Sequence, residues 1–213
     1  MHRFILRENA AHFRKLLMTE PDGDRRQMLQ TMLTNVETEL AELEEASARA
    51  HAVHDAHIAS FMDTLLRRAV EDSRADFGNI RLYEPEHNCL LFAAQLNFHK
   101  PFLDHFAAVR IGDGSPCGLA FERRSAVWIE DVNGEPVLQP HLEIMQETGF
   151  RALQSIPLTT AGRVFGVVSS FFRSPRRWDE QERQERENHV HGMCNLIVAK
   201  LGLADLDGAP ALR

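Results

Sequence analysis

Two pairs of strand-like segments, each joined by a short turn, constrain the fold of this chain more than any other feature. Residues 77–83 and 89–96 flank the polar turn 85–88, and residues 151–159 and 164–172 flank a second turn that contains Gly162. Strands linked by tight turns pair antiparallel, whereas parallel neighbours need long crossover connections. The sequence therefore predicts an antiparallel sheet and excludes a doubly wound parallel fold.

Helical patterns precede and follow these strands. Apolar residues recur at three- and four-residue steps over 28–43, after a breaker at 21–24, and the pattern resumes over about 47–70. A short helix or loop is predicted over 98–108, and a last helix begins after Asp179, an N-cap with Glu182 as its capping-box partner. These elements predict an α+β fold, with the helices from both chain ends on one face of the sheet. The predicted domains are an N-terminal helical extension over 1–46, the sheet domain over 47–201 and a flexible tail over 202–213.

Charge, hydropathy and cysteine content exclude several classes of partner. The chain has 213 residues and a formal net charge of −7, which gives no basic surface for nucleic acid or an anionic membrane. No apolar run approaches the ~18 residues that span a bilayer, and the N-terminus is too polar for a secretory signal. The three cysteines are widely spaced and odd in number. We therefore predict neither a disulfide framework nor a metal site, and we expect a reducing cytoplasm.

A further segment, GDGSPCGLAFERRSAVWIEDV at 112–132, joins a glycine turn, a short helix with Pro116 in its first turn, and an apolar strand. Together with ADFGNIRLYEPE at 75–86 and the hairpin segment at 149–182, it resembles a GAF domain over about residues 52–201. The likeness is to GAF domains of bacterial sensory proteins, notably those attached to histidine kinases. It implies short helices and loops over a ligand pocket on one face of the sheet, and a homodimer formed through the terminal helices.

Strand alternation and the resemblance together give eight candidate pocket residues. Asn79 and Arg81 share one side of the first strand, and that side faces either a small cavity or solvent. The other candidates are Gln95, Ser155 and Ser169 on further strands, and Asp113, Ser115 and Cys117 around the start of the short helix. Cavities that are mostly apolar with a few polar groups are where small ligands bind.

Cys117 is the candidate with the most specific alternative chemistry. At a helix start, the helix dipole would lower the pKa of its thiol and favour the reactive thiolate. The stretch is similar to that of the free methionine-(R)-sulfoxide reductase, a GAF enzyme that also uses other pocket cysteines, but residues 133–148 contain none. The interpretation we favour is a small packed or pocket-lining residue, and no catalytic residue is predicted.

The cofactor is unknown, and none is required by the sequence. The chain has no Cys-His pair for covalent bilin attachment, no haem motif around His99, His105 or His141, and no Asn-Lys-x-Phe-Asp-Glu pattern of cyclic-nucleotide GAF domains. Haem and non-covalent bilin are minor alternatives. We interpret the helical run His51, His54 and His57 as solvated or dimer-facing residues rather than metal ligands.

The predicted function is a cytoplasmic signal-transduction sensor. It binds an unidentified small molecule and signals through dimerising terminal helices to a protein partner. A redox enzyme that uses Cys117 and a ligand-free GAF platform for dimerisation or partner binding are the two alternatives.

Overall fold

The computed structural model describes residues 2–202, without the side chains of residues 2–5, 47, 48 and 50–54. The predicted tail, apart from Gly202, lies outside the described residues. The helices are α1 (His2–Thr19), α2 (Gly23–Ser73), α3 (Lys100–His105), α4 (Pro116–Arg123), α5 (Leu142–Thr148) and α6 (Glu180–Leu201), with 3₁₀ turns at Val132–Gly134 and Pro136–His141. The strands are β1 (Phe77–Glu84), β2 (Cys89–Leu96), β3 (Ala108–Arg110), β4 (Val127–Ile129), β5 (Ala152–Thr160) and β6 (Arg163–Phe172).

The chain divides into two compact units, Met1–His57 and Ile58–Arg213. In the first unit, α1 and the start of α2 bury Leu6, Ala10 and Leu33. Exposed ion pairs between Arg7 and Glu44 and between Arg14 and Glu37 join the two helices. Helix α2 runs without a break across the predicted domain boundary at residues 46 and 47.

The second unit is built on a six-stranded sheet in the order β3-β2-β1-β6-β5-β4. Every neighbouring pair is antiparallel, which confirms the predicted α+β class. Ala161 and Gly162 form the β5–β6 turn, and both have a positive φ, as a two-residue hairpin turn requires. Strand β3 was not predicted from the sequence. A strand of three residues is too short for an alternating pattern and is defined only by its pairing with β2.

Each face of the sheet carries its own apolar core. On one face, the end of α2 and helix α6 cover a core that includes Met62, Leu66, Ile80, Val168 and Ile197. The capping box of α6 is confirmed, because Asp179 accepts the Glu182 N–H and Glu182 accepts the Asp179 N–H. On the other face, the short helices α3, α4 and α5 cover a second, phenylalanine-rich core.

Candidate ligand site

Arg81 lies where β1 and β2 change register. A β-bulge between Ile80 and Arg81 places Phe92 directly opposite Arg81, and the guanidinium stacks 3.6 Å from the centre of the Phe92 ring. On the other side of β1, Gly166 of β6 allows a close approach, because a Cβ there would clash with the Arg81 carbonyl oxygen. β-Bulges are common beside functional sites because they re-aim a side chain.

A cavity lies between this part of the sheet and the short helices, and we call it the sheet cavity. Its polar lining is Asn79, Arg81, Ser115, Cys117, Ser155 and Ser169, and its apolar lining is Phe102, Phe106, Pro116, Met145, Phe150, Leu153 and Phe171. Its volume is about 20 Å³, which is room for a single water molecule. A larger ligand therefore enters only if the side chains of the covering helices move.

Asn79 and Arg81 face the sheet cavity and not solvent. Their residues are 2% and 1% exposed, respectively. Arg81 donates to the carbonyl oxygens of Leu90 at 3.1 Å and Phe106 at 2.6 Å, while its Nε and the Oδ1 of Asn79 have no partner among the described residues. Burial lowers the pKa of the Arg81 guanidinium, and the nearby Cys117 and Asp113 oppose this effect.

Three serines complete the polar lining, and their hydrogen bonds are made within the protein. Ser155 and Ser169 are cross-strand neighbours whose hydroxyls lie 2.8 Å apart. Ser115 is the N-cap of α4 and accepts the Gly118 N–H at 3.2 Å. The unpaired polar atoms of the sheet cavity therefore belong to Arg81 and Asn79.

Cys117 lines the sheet cavity but lacks the electrostatics of a reactive thiol. Burial raises the pKa of its thiol, and Arg81 and a contact with the Ser115 hydroxyl at 3.6 Å only partly oppose this. The thiolate expected from the helix dipole is therefore disfavoured, since desolvation by burial is the largest effect on the pKa of this thiol. The chain's three cysteines are all free thiols, with Cys89 and Cys194 buried.

Two predicted pocket residues lie elsewhere. Gln95 is exposed near the end of β2, where its side chain accepts the Phe98 N–H. Asp113 is exposed in the glycine turn, where its carboxylate accepts the Ser115 N–H at 2.9 Å. Neither residue is part of the cavity lining, because each side chain folds back onto the backbone of its own loop.

The aromatic wall of the cavity is the part that sequence reasoning missed. Phe102, Phe106, Phe150 and Phe171 come from α3, its C-cap, the α5–β5 loop and β6, and their rings contact one another. Their separation along the chain hides the cluster, and the only sequence signal was the content of 13 phenylalanines against one tyrosine. His105 and His141 lie beside this wall, with Nε2 and Nδ1 3.1 Å apart and both rings packed on Phe106.

The side chains that the structure describes include one group with metal-ligand atoms close together. Glu84, Glu86 and His87 lie in and beside the β1–β2 turn, and the Glu84 carboxylate already accepts the N–H groups of the other two residues. We assign this group to turn stabilisation. For the predicted histidine run, the side chains of His51 and His54 lie outside the described residues, and His57 is exposed.

A family model described as GAF domain matches residues 55–187, which is more than half of the chain. The chain belongs to the GAF domain family. The antiparallel sheet, with helices from both ends on one face and short helices on the other, is the GAF-like architecture predicted above. No curated protein sequence gives a significant match.

Solved structures resemble this GAF domain at low sequence identity. A domain of a protein described as a two-component sensor histidine kinase from Sinorhizobium meliloti 1021 aligns with a TM-score of 0.57 and 16% identity, over 68% of this chain and 94% of that one. The type II free methionine-R-sulfoxide reductase from Thermoplasma acidophilum aligns with a TM-score of 0.54 and 17% identity, over 68% and 96%. The GAF domain of a phosphoenolpyruvate-protein phosphotransferase from Coxiella burnetii aligns with a TM-score of 0.57 and 13% identity, over 99% and 100%. At these identities, the comparisons establish the shared fold.

In the part of the chain that the structure describes, no helix combines the length and the apolar character needed to cross a bilayer.

Proposed function

We propose that this GAF domain is a cytoplasmic sensory module that binds a small molecule in the sheet cavity and signals through its terminal helices as a homodimer. One observation carries the proposal: buried, unpaired polar atoms of Asn79 and Arg81 line a cavity whose other walls are mainly aromatic. Unpaired buried polar groups are costly, and ligand binding is one way to satisfy them. The likeness to a domain of a sensor histidine kinase supports a sensory role.

The walls of the sheet cavity connect the ligand to the signalling helices. Asn79 and Arg81 alternate along β1 with Ile80, whose side chain packs in the core beneath α2 and α6. A ligand that shifts β1 therefore acts on the packing of both terminal helices through a single strand. The odd number and wide spacing of the three cysteines favour a reducing compartment.

Thermal denaturation of the purified full chain, screened against metabolites, nucleotides and anions, tests the proposal. A ligand at about 100 times its Kd adds about 2.7 kcal/mol of stability, which raises Tm by roughly 5–10 °C in a chain of this size. Native mass spectrometry of freshly purified protein reports a small molecule that co-purifies. Absorbance of the same sample detects haem or bilin directly.

Two variants at Cys117 test whether the ligand binds in the sheet cavity. Cys117→Phe fills the cavity from its rim and should abolish the ligand-induced rise in Tm, whereas Cys117→Ser nearly preserves the volume and should retain the rise. A ligand response that survives Cys117→Phe contradicts the proposed location. A folded protein that responds to no compound and co-purifies with none favours the ligand-free platform.

A further inference from the structure

Among the described residues, Arg81 is a buried cation that no carboxylate pairs with. Its residue is 1% exposed. Asp113, the acidic residue whose charge acts on it, is exposed and bonded to the Ser115 N–H. A buried charge is strongly disfavoured unless it is paired and hydrogen-bonded. Two carbonyl oxygens and the Phe92 ring compensate Arg81 only in part, because none of them carries a negative charge.

The neighbouring unpaired group has complementary chemistry. Asn79 lies two residues before Arg81 on the same side of β1, and both residues line the sheet cavity. Its amide Nδ2 is a donor that can bond a carboxylate oxygen, whereas the acceptor Oδ1, which has no partner among the described residues, cannot bond one. The first turn of α4 is already capped by Ser115. Arg81 carries the formal positive charge of the cavity lining.

The remaining walls restrict which anion fits. Phe102, Phe106, Phe150 and Phe171 offer contacts to hydrocarbon and no further cation. A phosphate dianion would bring a second charge that these walls cannot neutralise. A carboxylate carries one charge at one end, which suits the guanidinium fork, and its hydrocarbon body suits the aromatic walls.

We propose that the ligand of the sheet cavity is a small organic carboxylate, whose carboxylate group pairs with Arg81 and accepts a hydrogen bond from the Asn79 amide Nδ2 while its short apolar body lies among the four phenylalanines. This inference rests on the proposed function and names its ligand class. The cavity volume of about 20 Å³ is that of a single water molecule, so even a short carboxylate enters only if the covering side chains move.

The test compares carboxylates with their neutral amides on the full chain. Acetate, propionate and butyrate, as sodium salts at ionic strength matched with sodium chloride, should raise Tm in a saturable way. Propionamide and butyramide have nearly the same shape without the charge and should give no rise. Sodium phosphate at the same ionic strength should also give none.

Variants on β1 and α4 then test whether the Arg81 guanidinium is the charge that binds the carboxylate. Arg81→Met should weaken carboxylate binding at least tenfold by calorimetry, while Arg123→Met, which removes an exposed arginine on α4, should leave it unchanged. Asn79→Asp places a carboxylate inside the cavity, so it should raise Tm without ligand and remove the response to carboxylates. The comparison of carboxylates with amides needs only the wild-type chain, so it stands even if Arg81→Met does not fold.

The outcomes separate this inference from the proposed function. Equal binding of carboxylates and amides, or full carboxylate binding by folded Arg81→Met, overturns the inference. If a neutral compound from the wider screen binds in the cavity and no carboxylate does, the inference fails and the sensory proposal stands. If phosphate binds and carboxylates do not, the site binds an anion, but the proposed carboxylate class is wrong.

Discussion

At the scale of single residues, Gly166 has the least room for a side chain among the glycines that the structure describes. A Cβ at Gly166 would meet the Arg81 carbonyl oxygen, and backbone of a paired strand cannot move away as a flexible side chain can. We expect Gly166→Ala to lower the free energy of unfolding by about 3 kcal/mol, the upper range for overpacking, as measured by urea denaturation.

Gly192 provides the matched control for that substitution. It lies exposed in the interior of α6, and a Cβ there would meet nothing within 4 Å. Alanine favours a helix over glycine, so Gly192→Ala should raise the free energy of unfolding by about 0.5–1 kcal/mol. Two losses of similar size would show that the close approach to Arg81 is not what Gly166 provides.

The residue scale also separates what alternation can predict from what it cannot. The period of two along β1 placed Asn79 and Arg81 on one side, and the structure puts both against the sheet cavity. Alternation cannot predict where a long side chain turns, and Gln95 pairs across from Asn79 yet bonds its own loop. The aromatic wall required the tertiary fold, because its members meet only after the short helices cover the sheet.

At the scale of elements, the contact between His105 and His141 joins the end of α3 to the 3₁₀ turn before α5. Burial lowers the pKa of His141, Asp113 opposes the shift, and His105 adds to it. The pKa of His141 in the folded state therefore lies below its unfolded value of 6.5. Near pH 6, His141 binds more protons in the unfolded chain than in the folded one. The stability that neutral His141 contributes is therefore present above pH 6.5 and is lost as pH falls through the folded pKa.

The lowered pKa of His141 predicts how the stability of the folded chain depends on pH. Between pH 7.5 and pH 5.5, the urea midpoint should fall less for His141→Gln than for the wild type, because glutamine does not titrate. His191→Gln, on the exposed surface of α6, should follow the wild-type curve. A wild-type pH dependence that persists unchanged in His141→Gln would contradict the assignment.

Elements differed in how far the sequence predicted them. The hairpins and α6 follow from local signals, since turn residues and a capping box act over a few positions. Strand β3 has no such signal, because its three residues become a strand only through hydrogen bonds to β2. The β1–β2 bulge that positions Arg81 is equally invisible in sequence, because register is a property of the pair.

At the scale of the whole molecule, the sequence predicted an α+β domain of the GAF family preceded by a helical extension over 1–46, but it gave no signal at the residues where the compact units divide. That division falls at residues 57 and 58, inside the continuous helix α2. Composition marks boundaries through glycine, proline and polar linkers, and α2 contains none of these after its first residue, Gly23. A boundary within an unbroken helix can be located only from tertiary contacts.

The predicted homodimer is tested on the same scale. Leu196 is 51% exposed on α6, and Met28 is 64% exposed on α2. Burial of one leucine side chain contributes about 1.5–3 kcal/mol, and a symmetric interface contains two copies.

We expect a dimer at micromolar concentration in sedimentation equilibrium, and Leu196→Glu should raise its dissociation constant more than tenfold, since tenfold corresponds to about 1.4 kcal/mol. Asn195→Glu adds the same charge at the next exposed position and should remain dimeric. A wild-type chain that sediments as a monomer would remove the dimer from the signalling proposal and leave the ligand site unaffected.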